Sequence, residues 1–238
     1  MRVPWTPGFP MMFPQAATED LFQHHRYDRA KYFSDAAAAY DLCEALANDE
    51  IMFPLWDELL AIEPRPLVVA PSKPIGETSN ALGRGYASWF AKEMSCEWER
   101  GIVQINRVSR DRERSRYVRL VHEPLYEGPV EEGRSYIIAD DVCTMGGTMA
   151  ALRGFIESRG GMVILTTALA AGDGAPIKIS LDGATELGLI NAHDGGLSAL
   201  VNAELGYDVS CLTEAEGRFL LERASLDAVR AGIRQARH

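Results

Sequence analysis

The chain contains no apolar run near the ~18 residues that a membrane-spanning helix needs, so a membrane role is not expected. Cysteine is scarce. Cys43, Cys96, Cys143 and Cys211 are scattered with no C-x-x-C pair, which argues against a disulfide framework and reads as reduced thiols in a cytoplasmic protein. The five histidines, His24, His25, His122, His193 and His238, are too dispersed to outline a zinc set. Only four lysines occur in 238 residues, and the net charge is −10. So acidic a chain is poorly suited to general nucleic-acid binding, which depends on neutralising phosphates. Neither G-x-x-x-x-G-K-[ST] nor G-x-G-x-x-G is present, which removes two common phosphate-loop signatures. Met1 to Pro14 lacks a basic stretch followed by an apolar core, unlike a signal peptide. With 47% hydrophobic and 24% charged residues the chain can bury a sizeable core, most simply as one domain with an appended lobe.

The informative stretch runs from Tyr136 to Thr148. Tyr136-Ile137-Ile138-Ala139 is short and apolar and follows Gly133, as expected for a strand buried on both faces of a parallel sheet. Asp140-Asp141 comes next, then the loop Val142-Cys143-Thr144-Met145-Gly146-Gly147-Thr148. Met149, Leu152, Phe155 and Ile156 recur close to helical spacing, and Gly160-Gly161 ends that helix. Met162 to Ala170 is a second apolar run. Such a strand–loop–helix–strand unit crosses over right-handed and places ligands at the carboxyl ends of its strands.

A phosphate at that point would meet unpaired amides and the positive end of the helix dipole. Gly146 and Gly147 allow close backbone approach, and Thr144 and Thr148 add hydroxyl donors. The adjacent carboxylates suit vicinal sugar hydroxyls, or a magnesium shared with the ligand. Singly, each piece has a plainer meaning: an Asp pair at a strand end is often a turn or helix cap, and Gly-Gly-Thr a tight turn. Their order along one string favours a sugar-phosphate pocket. Cys143, with no base near it in the string, reads as packing.

With Gly133-Arg134 ahead of it, the string resembles the signature of the type I phosphoribosyltransferases, in which an apolar strand runs into two acidic residues and a Thr-x-Gly-Gly-Thr-like loop. Ala139 departs where a larger aliphatic residue is usual, and Met145 where a small or hydroxyl residue is usual. The resemblance covers roughly residues 66 to 170. It implies an α/β fold: a parallel sheet flanked by helices, a β-hairpin flap, and a hood built from the N- and C-terminal segments. Residues 1–64 would then be a helical segment of the hood, 65–172 the core, and 173–238 the rest of core and hood. The implied activity is magnesium-dependent transfer of the 5-phosphoribosyl group from 5-phosphoribosyl 1-diphosphate (PRPP) to a nitrogen acceptor such as a nucleobase-like ring, with release of pyrophosphate. A PRPP-binding regulatory module without turnover is the alternative. The resemblance is compatible with a homodimer.

Residue by residue, the resemblance implies that Asp140, Asp141, Val142, Cys143, Thr144, Met145, Gly146, Gly147 and Thr148 hold PRPP, with magnesium at Asp140 and Asp141. Pro66 to Ala70 reads as the first core strand, and Pro71-Ser72-Lys73-Pro74-Ile75-Gly76 as the pyrophosphate loop, with Lys73 as its cation or else a solvated lysine. Ala70-Pro71 and Lys73-Pro74 are bonds where a cis form costs little. Ile102 to Val108 and Tyr117 to His122 read as strands of the flap, joined by the basic tip Ser109 to Arg116. Its arginines, Arg110, Arg112, Arg114 and Arg116, either solvate the tip or assist pyrophosphate departure. Arg112 and Arg114 join Asp140 and Asp141 as the catalytic candidates. Flap closure would exclude water from the activated sugar.

Elsewhere, helices are expected at Ser34 to Ala47 with Ser34 as cap, at residues 52–61, and at Thr78 to Met94. Further helices are expected around Ala184 to Ile190 and Leu197 to Leu205, after a Thr213/Glu216 capping box, and after Ser225.

Overall fold

The computed structural model describes residues 2–74, 80–106, 108 and 115–237. In chain order the elements are β1 (Phe13–Ala16), α1 (Thr18–Gln23), α2 (Tyr27–Tyr32), α3 (Ala36–Leu46), α4 (Asp49–Leu60), β2 (Leu67–Val69), α5 (Leu82–Glu93), β3 (Glu97–Glu99), β4 (Val103–Gln104), α6 (Arg116–Val121), β5 (Tyr126–Glu127), β6 (Ser135–Cys143), α7 (Gly147–Glu157), β7 (Met162–Ala171), α8 (Gly183–Asn191), α9 (Gly196–Leu205), α10 (Glu214–Leu221) and α11 (Leu226–Ala236). Five strands form one parallel sheet in the order β1-β7-β6-β2-β3. From β2 the chain steps outward to β3, then returns to the other side of β2 at β6 and goes on to β7. The strand order therefore reverses between β2 and β6, and such a switch point leaves a crevice outside the carboxyl ends.

Two-residue alternation sends the strand side chains to two different layers. Val68, Ile137 and Leu165 join Leu42, Tyr86 and Phe90 of α3 and α5 in one cluster. Leu67, Val69, Tyr136 and Ile138 pack with Met149, Leu152, Phe155 and Ile156 of α7 in the other. A third cluster lies off the sheet. In it Leu120 of α6 packs with Leu189, Val201, Phe219, Val229 and Ile233 of the C-terminal helices, and Met145 leans against them.

Several elements differ from what the sequence suggests. β6 extends beyond Ala139 and takes in Asp140 and Asp141, because β7 keeps pairing with it as far as Cys143↔Ala171. Tyr117 to His122 is not a strand. Ser115 caps a helix there, accepting from Val118 N–H at 3.4 Å, and the antiparallel partner of β4 is β5. The short segment Tyr117-Val118-Arg119-Leu120-Val121 fits either period, and burying Leu120 in the third cluster selects the helix. β1 gave no periodic signal. It is four residues long and includes Pro14, which an edge strand tolerates. Helices α1 to α4 cover one sheet face together with α5, so residues up to about 60 are a core layer before they are anything else. Asp35, not Ser34, caps α3, accepting from Ala38 N–H at 2.9 Å. The α5 helix starts at Leu82, and the expected start at Thr78 lies outside the described residues. Among the described residues the cis peptide bond is Glu63–Pro64, and neither Ala70–Pro71 nor Lys73–Pro74 is cis.

Candidate functional site

Strand β2 ends at Val69, opposite Ile138, while β6 continues beside β7. Beyond Ile138, β6 thus loses its neighbour on the β2 side, and a cleft of about 1040 Å³ opens there. Asp140 through Met149 line it without interruption, joined by Ser72 and Lys73 from the loop after β2, Lys31 from α2 and Arg119 from α6. The Ser72 carbonyl accepts from Gln104 N–H at 2.9 Å, so the β4–β5 ribbon braces that loop. The Lys73 carbonyl accepts from Arg84 Nη1 at 3.1 Å.

Both carboxylates are 5% exposed. Asp141 Oδ2 accepts from Lys31 Nζ at 2.5 Å and from Asn80 Nδ2 at 2.8 Å, and its Oδ1 accepts from Val142 N–H at 2.9 Å. Asp140 Oδ1 accepts from Asp141 N–H at 2.8 Å. Burial alone would lower the Lys31 pKa, but the facing Asp141 and the nearby Asp140 outweigh it, and the net shift is upward. Lys31 is therefore an ammonium at neutral pH.

The loop turns at Gly146, whose φ of 76° lies in the left-handed region that glycine adopts at no steric cost. Helix α7 begins at Gly147, and the amides of Gly147 and Thr148 have no acceptor among the described residues. Arg119 Nη1 donates to Thr144 Oγ1 at 2.6 Å, which sets a guanidinium beside this mouth. The Thr213 hydroxyl donates to the Met145 carbonyl at 2.5 Å and ties the loop to the first turn of α10. Glu216, the other half of that capping box, also borders the cleft and is salt-bridged to Arg2. Burial pushes the Cys143 thiol up to about 12, so the group is neutral and serves as packing.

Among the described residues no group of three or more His, Cys, Asp or Glu side chains is arranged to hold a metal. Two adjacent carboxylates, one of them already paired with Lys31, fit a magnesium only if ligand oxygens and water complete its shell, which is how this ion is usually held.

The structure brings Lys73 and the whole Asp140 to Thr148 string into one cleft. Arg110, Arg112 and Arg114 lie outside the described residues. Arg116 points elsewhere, 3.8 Å from Glu222 and over the Phe219 ring. His193 and Asp194 are exposed in the turn between α8 and α9. Sequence reasoning missed Lys31, Asn80 and Arg119. The scarcity of lysine made Lys31 conspicuous, but nothing local links it to a carboxylate 110 positions away.

Fold and site together define a class: an open parallel α/β sheet whose switch-point crevice is lined by paired carboxylates, helix-mouth amides and the cationic side chains of Lys31, Lys73 and Arg119. No family model matches the chain. The chain is 32% identical over 237 residues to Protein TraN of Escherichia coli, a match that takes in 100% of this chain and 52% of that protein. It is 31% identical over 157 residues to an uncharacterized protein of Haemophilus influenzae, covering 66% of this chain and 34% of that one. The chain thus spans about half the length of the first curated relative and about a third of the second. Among solved structures, adenine phosphoribosyltransferase from Leishmania donovani aligns with a TM-score of 0.36 at 12% identity, over 68% of this chain and 64% of that one. The adenine phosphoribosyltransferase of Thermoanaerobacter pseudethanolicus gives 0.33 at 18% identity, over 58% and 70%. Leishmania donovani UMP synthase gives 0.32 at 16% identity, over 85% and 34%. At this level of likeness the activity has to be read from the site itself.

Proposed function

We propose that the cleft binds PRPP and transfers its phosphoribosyl group to a nitrogen acceptor, releasing pyrophosphate. The observation that carries this reading is that the carboxylate pair and the bare-amide mouth of α7 share one cleft at the sheet's switch point. The amides of Gly147 and Thr148, with the hydroxyls of Thr144 and Thr148 and the Arg119 guanidinium, take the 5-phosphate. Asp140 and Asp141 accept from the ribose hydroxyls, with Lys31 balancing the charge of Asp141. Lys73 is the cation on the pyrophosphate side. Bound with PRPP, magnesium would neutralise charge on the departing pyrophosphate.

In the reaction the bond from the anomeric carbon to the pyrophosphate oxygen breaks, and a bond to the acceptor nitrogen forms. The acceptor's proton leaves to a carboxylate or to water. The chain's own contribution is positioning and electrostatics. A wall of rings borders the same cleft. Phe22 and Tyr27 stand 5.3 Å apart and Tyr27 and Tyr32 6.3 Å apart, which supports a planar acceptor.

A second reading, a PRPP-binding regulator without turnover, draws support from the Lys31–Asp141 pair, since an acid held by an ammonium is a weaker base. The test is pyrophosphate release from PRPP and magnesium with a panel of bases. Turnover with one base establishes the transferase and names its acceptor. PRPP binding without turnover on any base establishes the regulator, and absence of PRPP binding overturns both.

A further inference from the structure

Beside the mouth of α7 sits a third carboxylate of the cleft, one that the proposed chemistry does not use. Glu216 is 1% exposed, and a Cβ added to Gly147 would stand 2.5 Å from its Oε1, so the carboxylate lies against the first residue of the helix. An anion is attracted to a helix N-terminus, and a buried carboxylate without a counter-charge is strongly unfavourable. Glu216 has such a counter-charge in Arg2, itself 4% exposed. Arg2 Nη2 donates to Glu216 Oε1 at 2.8 Å, Nη1 donates to Oε2, and Nε pairs with Glu123. The Tyr207 ring lies 4.9 Å from the guanidinium.

Arg2 is locked in place. Arg153, fully buried on α7, donates to the carbonyls of Val3 at 2.5 Å and Pro4 at 2.9 Å, and Trp5 Nε1 donates to the Leu212 carbonyl at 2.6 Å. Helix α10 does not need a charge at position 216. The capping box asks only for an acceptor reaching back to Thr213 N–H, here 3.0 Å away, and glutamine serves that purpose.

The geometry points to Arg2 as a positioning residue of the anion seat: its guanidinium holds the Glu216 carboxylate, which lies against Gly147, off the free amides of that mouth, so that an incoming phosphate meets the amides of Gly147 and Thr148. This rests on the reading of the cleft as a phosphate site. Without Arg2, Glu216 loses its paired guanidinium, the helix mouth beside it attracts the carboxylate, and the side chain competes with the ligand.

The test is calorimetric binding of ribose 5-phosphate to the unsubstituted chain and to Arg2→Ala, Glu216→Gln and the double variant. Arg2→Ala should weaken binding about tenfold or more, the scale of a charge at a helix terminus. Glu216→Gln should bind at least as tightly as the unsubstituted chain. The double variant should recover to within about threefold of it, which a merely structural role for Arg2 would not produce. Unchanged binding by Arg2→Ala overturns the inference, as does a double variant that folds and binds as weakly as Arg2→Ala. If Arg2→Ala does not fold, weaker binding by Glu216→Gln overturns it. If the unsubstituted chain binds no ribose 5-phosphate, the reading of the cleft falls, and this inference with it.

Discussion

At the scale of single residues, the acids and the thiol of β6 behave oppositely although they are neighbours. Asp141 is buried but well provided with donors, so its charge is tolerated. Replacing Asp140 and Asp141 together by Asn should abolish PRPP binding in calorimetry while circular dichroism stays native, because the amides are isosteric. Unchanged affinity would remove the acids from the site. For Cys143, burial, with the charges of Asp140 and Glu216 adding to it, outweighs the bond from the Gly146 amide, and the native state holds its proton up to about 12. The unfolded chain gives that proton up nearer the ordinary thiol range. This group therefore favours the folded state below that range, and its contribution fades as pH rises from there towards 12. Iodoacetamide at pH near 8 should leave Cys143 unmodified in the native protein and alkylate it in urea, as read by peptide mass spectrometry.

Individual elements explain which expectations came true. The β6–loop–α7–β7 unit was readable because each part depends on its own residues: an apolar strand, a glycine at positive φ, and apolar positions at helical spacing. Helix α6 was not readable, since its short run carries both periods and only the neighbouring helices choose between them. The Thr213/Glu216 box was visible as a helix start, but not as the link between α10 and the loop. Thr213→Val removes both the cap and the donor to Met145. It should cost about 1–2 kcal/mol in urea unfolding, and it should weaken phosphate binding because the loop loses its tie to α10. An unchanged phosphate affinity would show that the loop holds its shape unaided.

On the scale of the whole molecule, two layers press on one sheet and a third cluster stands beside the loop. Leu152 of α7 is fully buried between helix and sheet. Leu152→Ala should cost about 2–5 kcal/mol in urea unfolding. Leu187 is 59% exposed on α8, and Leu187→Ala should change stability by less than about 0.5 kcal/mol. Equal costs would mean that the α7 layer is not where the apolar energy lies. Helices α1 and α2 belong to the layer over the first face and also border the cleft through Phe22, Tyr27 and Lys31. Residues 1–64, expected as a helical segment that is part of the hood, help supply this layer, which the sequence did not indicate because amphipathic helices do not announce which surface they cover.

The sequence alone determined the strand–loop–helix unit with its acids and bare amides, since backbone preference and hydrophobic period act over a few residues. Only the tertiary structure decided which charges meet that unit. Lys31 reaches Asp141 across 110 positions and Arg2 reaches Glu216 across 214. Pairings over such distances follow from how layers pack and where β2 stops short of β6, and no local pattern of residue types encodes either.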